Sequence, residues 1–131
     1  MILLTAEEII VLHEKLLKAT GGLPGLRERG LLESAVFSAT AAFEDVEQYP
    51  TVEEKAARLC YGLIADHAFV DGNKRVGVLA MLVSLRLNGV ALRYTQQELI
   101  ELGLGVARGD LAYQDILSWL LRHRIKETGT Q

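Results

Sequence analysis

The chain has 131 residues, 50% hydrophobic and 24% charged, a composition that excludes intrinsic disorder and fits one domain spanning 1–131. Its 14 basic and 17 acidic residues give a net charge of −3, which excludes a general nucleic-acid binder, so no direct DNA binding is expected. A single cysteine, Cys60, excludes an internal disulfide and a cysteine-based zinc site.

The first residues carry no basic start, and Glu7 and Glu8 interrupt the apolar run, so the segment does not read as a signal peptide. No apolar stretch approaches the roughly 18 residues a membrane helix needs, and a cytoplasmic location is expected. Thr5-Ala6-Glu7-Glu8 is a capping-box pattern: the threonine hydroxyl accepts a backbone N–H three residues on, and the glutamate reaches back. It opens a helix with Ile9, Leu12 and Leu16 as its apolar stripe and Ile10 and Leu17 beside it. Gly21-Gly22 ends that helix, and Leu23 to Gly30 reads as a loop. A second helix is predicted from Leu31 to Phe43, with Leu32, Ala35, Val36, Ala39 and Phe43 inward. Glu44 to Gln48 reads as an acidic surface connection.

Thr51-Val52-Glu53-Glu54 is a second capping box, opening a helix to Asp66 with Ala56, Leu59, Cys60, Leu63 and Ile64 on its core face. The pattern breaks at Phe69 to Gly72. The next helix, Asn73 to Leu87, carries Val76, Val78, Leu79, Leu82 and Leu85. It is apolar nearly all round and is predicted to lie at the centre. After Asn88-Gly89, Val90 to Tyr94 reads as extended, one edge of a small hairpin. Thr95-Gln96-Gln97-Glu98 opens a helix to Ala107, and Asp110 is expected to cap a last helix to Arg124, with a frayed tail from Lys126. The sum is an all-α bundle of about six helices with at most a minor hairpin.

One stretch differs from the rest. His67-Ala68-Phe69-Val70-Asp71-Gly72-Asn73-Lys74-Arg75 places a base, a carboxylate, a glycine, an amide and two cations between two apolar helices. The first N–H groups of the helix that begins near Asn73 have no intrahelical partner, and with the positive end of the helix dipole they form an anion site. Gly72 lets a phosphate approach the backbone, and Lys74 and Arg75 add charge where the dipole by itself disfavours it. Asp71 is an oxygen ligand suited to Mg²⁺. Histidine is the side chain that exchanges protons near neutral pH, and His67 is the candidate base. The parts match phosphoryl or nucleotidyl transfer to a hydroxyl. The plainer alternatives are a turn or N-cap role for Asp71 and a solvated helix start for Lys74 and Arg75. His13 and His123 read as structural or exposed, and Arg122, His123, Arg124 and Lys126 as a basic helix end.

His-x-Phe-x-Asp-Gly-Asn-Lys-Arg resembles the signature of the Doc (death-on-curing) toxins of the Fic superfamily. The resemblance extends to Gly21-Gly22-Leu23-Pro24-Gly25 and to Leu85-Arg86-Leu87-Asn88-Gly89-Val90. It implies a Fic/Doc-type fold in which His67 activates the target hydroxyl, Phe69 anchors the loop and Asp71 binds Mg²⁺. Gly72 and Asn73 would shape the anion hole, and Lys74 and Arg75 would grip the phosphates of ATP. It further implies phosphorylation of elongation factor Tu, arrested translation, and neutralisation by a Phd-like antitoxin. The adenylylating Fic enzymes carry glycine where this chain has Lys74 and usually a second arginine where it has Val78, so both positions favour the Doc branch. Adenylyl transfer and an inactive helical binding protein are the alternatives.

Overall fold

The computed structural model describes residues 1–126. Six helices follow in order: α1 (Ala6–Thr20), α2 (Arg29–Thr40), α3 (Val52–Asp66), α4 (Asn73–Leu87), α5 (Gln96–Ala107) and α6 (Tyr113–His123). The all-α expectation holds. All three capping boxes form: the hydroxyls of Thr5, Thr51 and Thr95 accept from the backbone of Glu8, Glu54 and Glu98, and each glutamate returns a bond to its cap. The last helix begins later than expected, at Tyr113, where Asp115 accepts the backbone N–H of Ala112 at 2.8 Å. The frayed tail expected from Lys126 lies, beyond that residue, outside the described residues.

The small hairpin is elsewhere than predicted. β1 (Ala42–Phe43), at the end of the second predicted helix, pairs antiparallel with β2 (Val46–Glu47), in the stretch read as a connection. Glu44 and Asp45, at φ 50° and 65°, make the two-residue turn. Positive φ at both central positions is the hairpin geometry that asparagine and glycine normally supply, so an acidic pair hid it. The hairpin takes over the end of the second predicted helix, and Phe43, expected inward, is 79% exposed on it. Around Val90 to Tyr94 only Leu92 bridges, to Arg124.

The two helices flanking the polar stretch form the axis of the bundle, and α3 is the more enclosed. It packs against α2, α4, α5 and α6, whereas α4 meets α1, α3 and α5 and ends in exposed Arg86 and Leu87. The apolar character of α4 pointed to the wrong member of the pair. What admits four neighbours is small volume: Ala56, Ala57, Cys60 and Gly62 are all buried on α3. The pair is tightly packed at Gly77 of α4, where a β-carbon would lie 2.7 Å from Ile64 Cγ1. Two apolar clusters flank this pair. One gathers Ile9, Leu32, Leu63, Phe69 and Val76, and the other Ile64, Met81, Leu102, Ile116, Trp119 and Leu120.

Burial pushes the Cys60 thiol up to about 12. Thiolate is the reactive form, so native protein at neutral pH is expected to resist iodoacetamide, while denatured protein is labelled fully. Mass spectrometry after a timed exposure checks this. Among the described residues no helix is long and apolar enough to cross a membrane.

Candidate functional site

The polar stretch turns the chain from α3 into α4. His67 sits at the C-cap of α3 in the left-handed conformation, φ 53° and ψ 50°, and is exposed. Histidine tolerates that region better than bulky or β-branched residues do. Its carbonyl accepts from Arg27 Nη2 at 2.6 Å and Nε at 2.9 Å, so the backbone is gripped while the ring stays on the surface. Phe69 is 2% exposed and plugs the loop into the first cluster. Gly72, at φ 78°, is the N-cap of α4 and offers it no side-chain cap.

Asn73 closes the loop on itself. Its Oδ1 accepts the Phe69 N–H at 3.0 Å, and its Nδ2 donates to the Phe69 carbonyl at 2.9 Å. The expected phosphate-facing amide is therefore a clip in this structure, and what Asn73 offers a ligand is its backbone N–H.

Asp71 is held from both sides. Its Oδ2 accepts the Leu23 N–H at 3.0 Å and its Oδ1 the Gly72 N–H at 2.8 Å. The Leu23 bond foremost, then the Gly72 bond and the nearby Arg75, keep its carboxyl below the usual carboxylate range. A depressed folded value stabilises the fold above the unfolded value of about 3.9 and is lost as pH falls through the folded one. The acid limb of the stability curve is therefore expected to be shallower in Asp71→Asn than in the wild type. Urea midpoints between about pH 5 and about pH 2 measure it.

The two cations diverge. Arg75 Nη1 donates to Thr20 Oγ1 at 2.6 Å and to the Gly21 carbonyl at 2.7 Å, and its Nη2 lies 3.7 Å from Asp71 Oδ1. It is tied to the end of α1. Lys74 instead runs its aliphatic stem past Gly103 of α5, where a β-carbon would lie 3.2 Å from its Cγ. Unlike Arg75, it makes no hydrogen bond or ion pair with a described residue.

A second loop braces the first. Leu26 bridges Phe69, Arg27 N–H donates to the Ala68 carbonyl at 2.7 Å, and Val70 N–H donates to the Gly25 carbonyl at 3.0 Å. Gly22, at φ 125°, passes so close that a β-carbon would meet Asp71 Oδ2 at 2.8 Å and Arg75 Nη2 at 2.9 Å. Arg27 had no motif to mark it. His13, read as structural or exposed, is buried against the loop. Its place on the α1 stripe, four residues from Ile9 and from Leu17, was the available signal.

The donor set tests what ligand fits. Among the described residues no group of three or more His, Cys, Asp or Glu side chains could enclose a metal ion. One partly exposed carboxylate beside an uncapped helix start suits instead a Mg²⁺ that takes most of its ligands from phosphate and water. Among the described residues, the chemistry on offer is one exposed imidazole, one carboxylate, helix-start N–H groups and one ammonium without a partner, all at a single helix end.

Residues 3–85, from before α1 through most of α4, match the Fic/DOC family. The chain is 31% identical over 121 residues to the protein named "Protein kinase doc" from Escherichia phage P1, an overlap covering 91% of this chain and 93% of that protein. It is 43% identical over 74 residues to "Toxin Doc" of Mycolicibacterium smegmatis, covering 56% of this chain and 57% of that one.

Proposed function

The chain belongs to the Fic/Doc family, on its Doc side, and we propose that it acts, as one domain over 1–131, as the toxin of a type II toxin–antitoxin pair. In this reading it is a protein Ser/Thr kinase that transfers the γ-phosphoryl group of Mg²⁺-ATP to a hydroxyl of elongation factor Tu, and a Phd-like antitoxin neutralises it. The observation that carries the reading is Lys74: an ammonium with no partner among the described residues, on the first turn of a helix without a side-chain cap, where the dipole disfavours a cation unless an anion joins it.

Mg²⁺-ATP supplies the phosphoryl group and the metal's positive charge. His67, exposed at the end of α3, takes the proton of the acceptor hydroxyl. Asp71, fixed by Leu23 and Gly72, would hold the metal. The backbone N–H groups of Asn73 and Lys74, with the Lys74 ammonium, bind phosphate oxygens and stabilise the charge that grows on them. Arg75, anchored on Thr20 and Gly21, adds its positive charge from the rim. Preorganised charge of this kind supplies most of the barrier reduction in phosphoryl transfer.

The test is transfer of label. Purified protein is incubated with elongation factor Tu and ATP labelled at either the α or the γ phosphate. Label arriving from γ is expected. Label from α assigns adenylyl transfer, and no transfer to this target or to a cell lysate assigns a binding role.

A further inference from the structure

His13 lies outside the polar stretch, 58 residues from the atom it touches. It is 2% exposed and stands on the buried face of α1, between Ile9 and Leu17. A polar ring buried in an apolar stripe is costly unless its hydrogen bonds are met. Here Nε2 is 2.7 Å from the Asp71 carbonyl oxygen, and because a carbonyl only accepts, Nε2 carries the proton and donates. The ring stacks on Phe69, centroids 3.9 Å apart and planes within 17°. Beyond that contact, a β-carbon on Gly72 would lie 3.4 Å from the same Nε2.

The bond to the Asp71 carbonyl has a consequence for the peptide unit that joins Asp71 to Gly72. His13 holds its oxygen edge, and Asp71 Oδ1 holds its N–H edge at 2.8 Å. Glycine flanks this unit, so rotating it costs little in backbone sterics. A rotated unit would exchange its two edges and turn the carbonyl oxygen toward the Asp71 carboxylate that the Gly72 N–H now holds. It would also release the Asp71 carboxylate from the Gly72 N–H.

We infer that His13 is a positioning residue for the transfer reaction, locking the Asp71–Gly72 peptide in the orientation that turns its N–H toward the Asp71 carboxylate and so keeps that carboxylate aimed. The inference rests on the transfer activity proposed above. It touches neither phosphate nor acceptor, and Phe69 alone does not replace it, because stacking fixes the ring of Phe69 but not the peptide two residues on.

Two variants separate the donor from the packing. His13→Phe keeps a ring to stack on Phe69 and removes the donor. His13→Gln removes the ring and puts an amide N–H near the place of Nε2. Two readouts are taken on the full chain: NMR amide exchange at Phe69, Val70 and Gly72 against core amides of α3, and kcat and KM for ATP in the transfer assay. For His13→Phe, exchange is expected to accelerate at the loop and not in α3. Its kcat is expected to fall by about 10²-fold, the scale of a small misplacement of reacting groups, with a smaller change in KM. His13→Gln is expected to recover most of both.

Loop exchange and kcat equal to wild type in His13→Phe overturn the inference. So does acceleration spread evenly through α1, α3 and α4 that His13→Gln leaves uncorrected, which is the mark of packing alone. If His13→Phe does not fold, His13→Gln decides: wild-type loop protection upholds the inference and loop-confined loss overturns it. If the wild type transfers no phosphate, the proposed activity fails while the exchange comparison still decides the peptide lock.

Discussion

His67→Asn is expected to fold as the wild type does and to lose transfer by about 10²- to 10⁴-fold, the usual contribution of a positioned general base. Asparagine is the right substitute because of the backbone. Residue 67 sits at φ 53°, a conformation that most side chains enter at a cost of about 1–2 kcal/mol and that asparagine visits routinely. An alanine variant mixes that strain with loss of the imidazole. The bonds from Arg27 go to the residue 67 carbonyl and survive any substitution, so the loop path is retained. Circular dichroism and the thermal midpoint should match the wild type while labelled phosphate no longer reaches the acceptor. Transfer within a few-fold of normal would remove His67 from the role of base.

Phe69→Ala carries the largest expected loss of stability. The ring is 2% exposed, belongs to the cluster with Ile9, Leu32 and Leu63, and stacks on His13. Removing a buried phenyl group costs about 3–5 kcal/mol, because a cavity is left as well as lost burial. Against a total of about 5–15 kcal/mol for a domain, that is a large fraction. The loop also loses its plug, so transfer should fall below what the folded fraction accounts for. Phe69→Leu refills most of the volume and should recover much of the stability. Urea unfolding of both variants measures this. A loss under about 1 kcal/mol in Phe69→Ala would mean that the loop is held by its hydrogen bonds and not by the ring.

These two positions mark how far the sequence could be read. His67 at the end of a helix followed from apolar periodicity and from where it broke, and Phe69 as the anchor of the loop from the family resemblance. The starts of α1, α3 and α5 were equally legible, since each capping box is a local signal of four residues. The hairpin was not, because Glu44 and Asp45 adopt a turn that their chemistry does not advertise. Nor was the greater burial of α3, which depends on small side chains admitting neighbours and not on hydrophobicity. Within the site, residue types pointed to charge and proton transfer, but not to which groups would be tied up. Asn73 binds the backbone of Phe69, and Arg75 binds the end of α1, while Lys74 has neither kind of partner among the described residues. His13, Leu23, Gly25 and Arg27 reach the loop from more than 35 residues away, and separation of that kind leaves no periodic trace.

The brace between the loop at 21–28 and the polar stretch draws on many main-chain atoms. Gly25 gives a carbonyl, Leu23 and Glu28 give N–H groups, and Ala68 and His67 give carbonyls in return. Side-chain changes at Leu23, Pro24 or Glu28 leave those atoms in place, so the sequence there is free to drift without loosening the site. Length is another matter. Inserting or deleting one residue between Gly22 and Arg27 moves every partner out of step at once. Leu23, Pro24 and Glu28 should therefore tolerate substitution, Gly22 and Arg27 should not, and a change of length should be tolerated nowhere in the segment, the reverse of an ordinary surface loop.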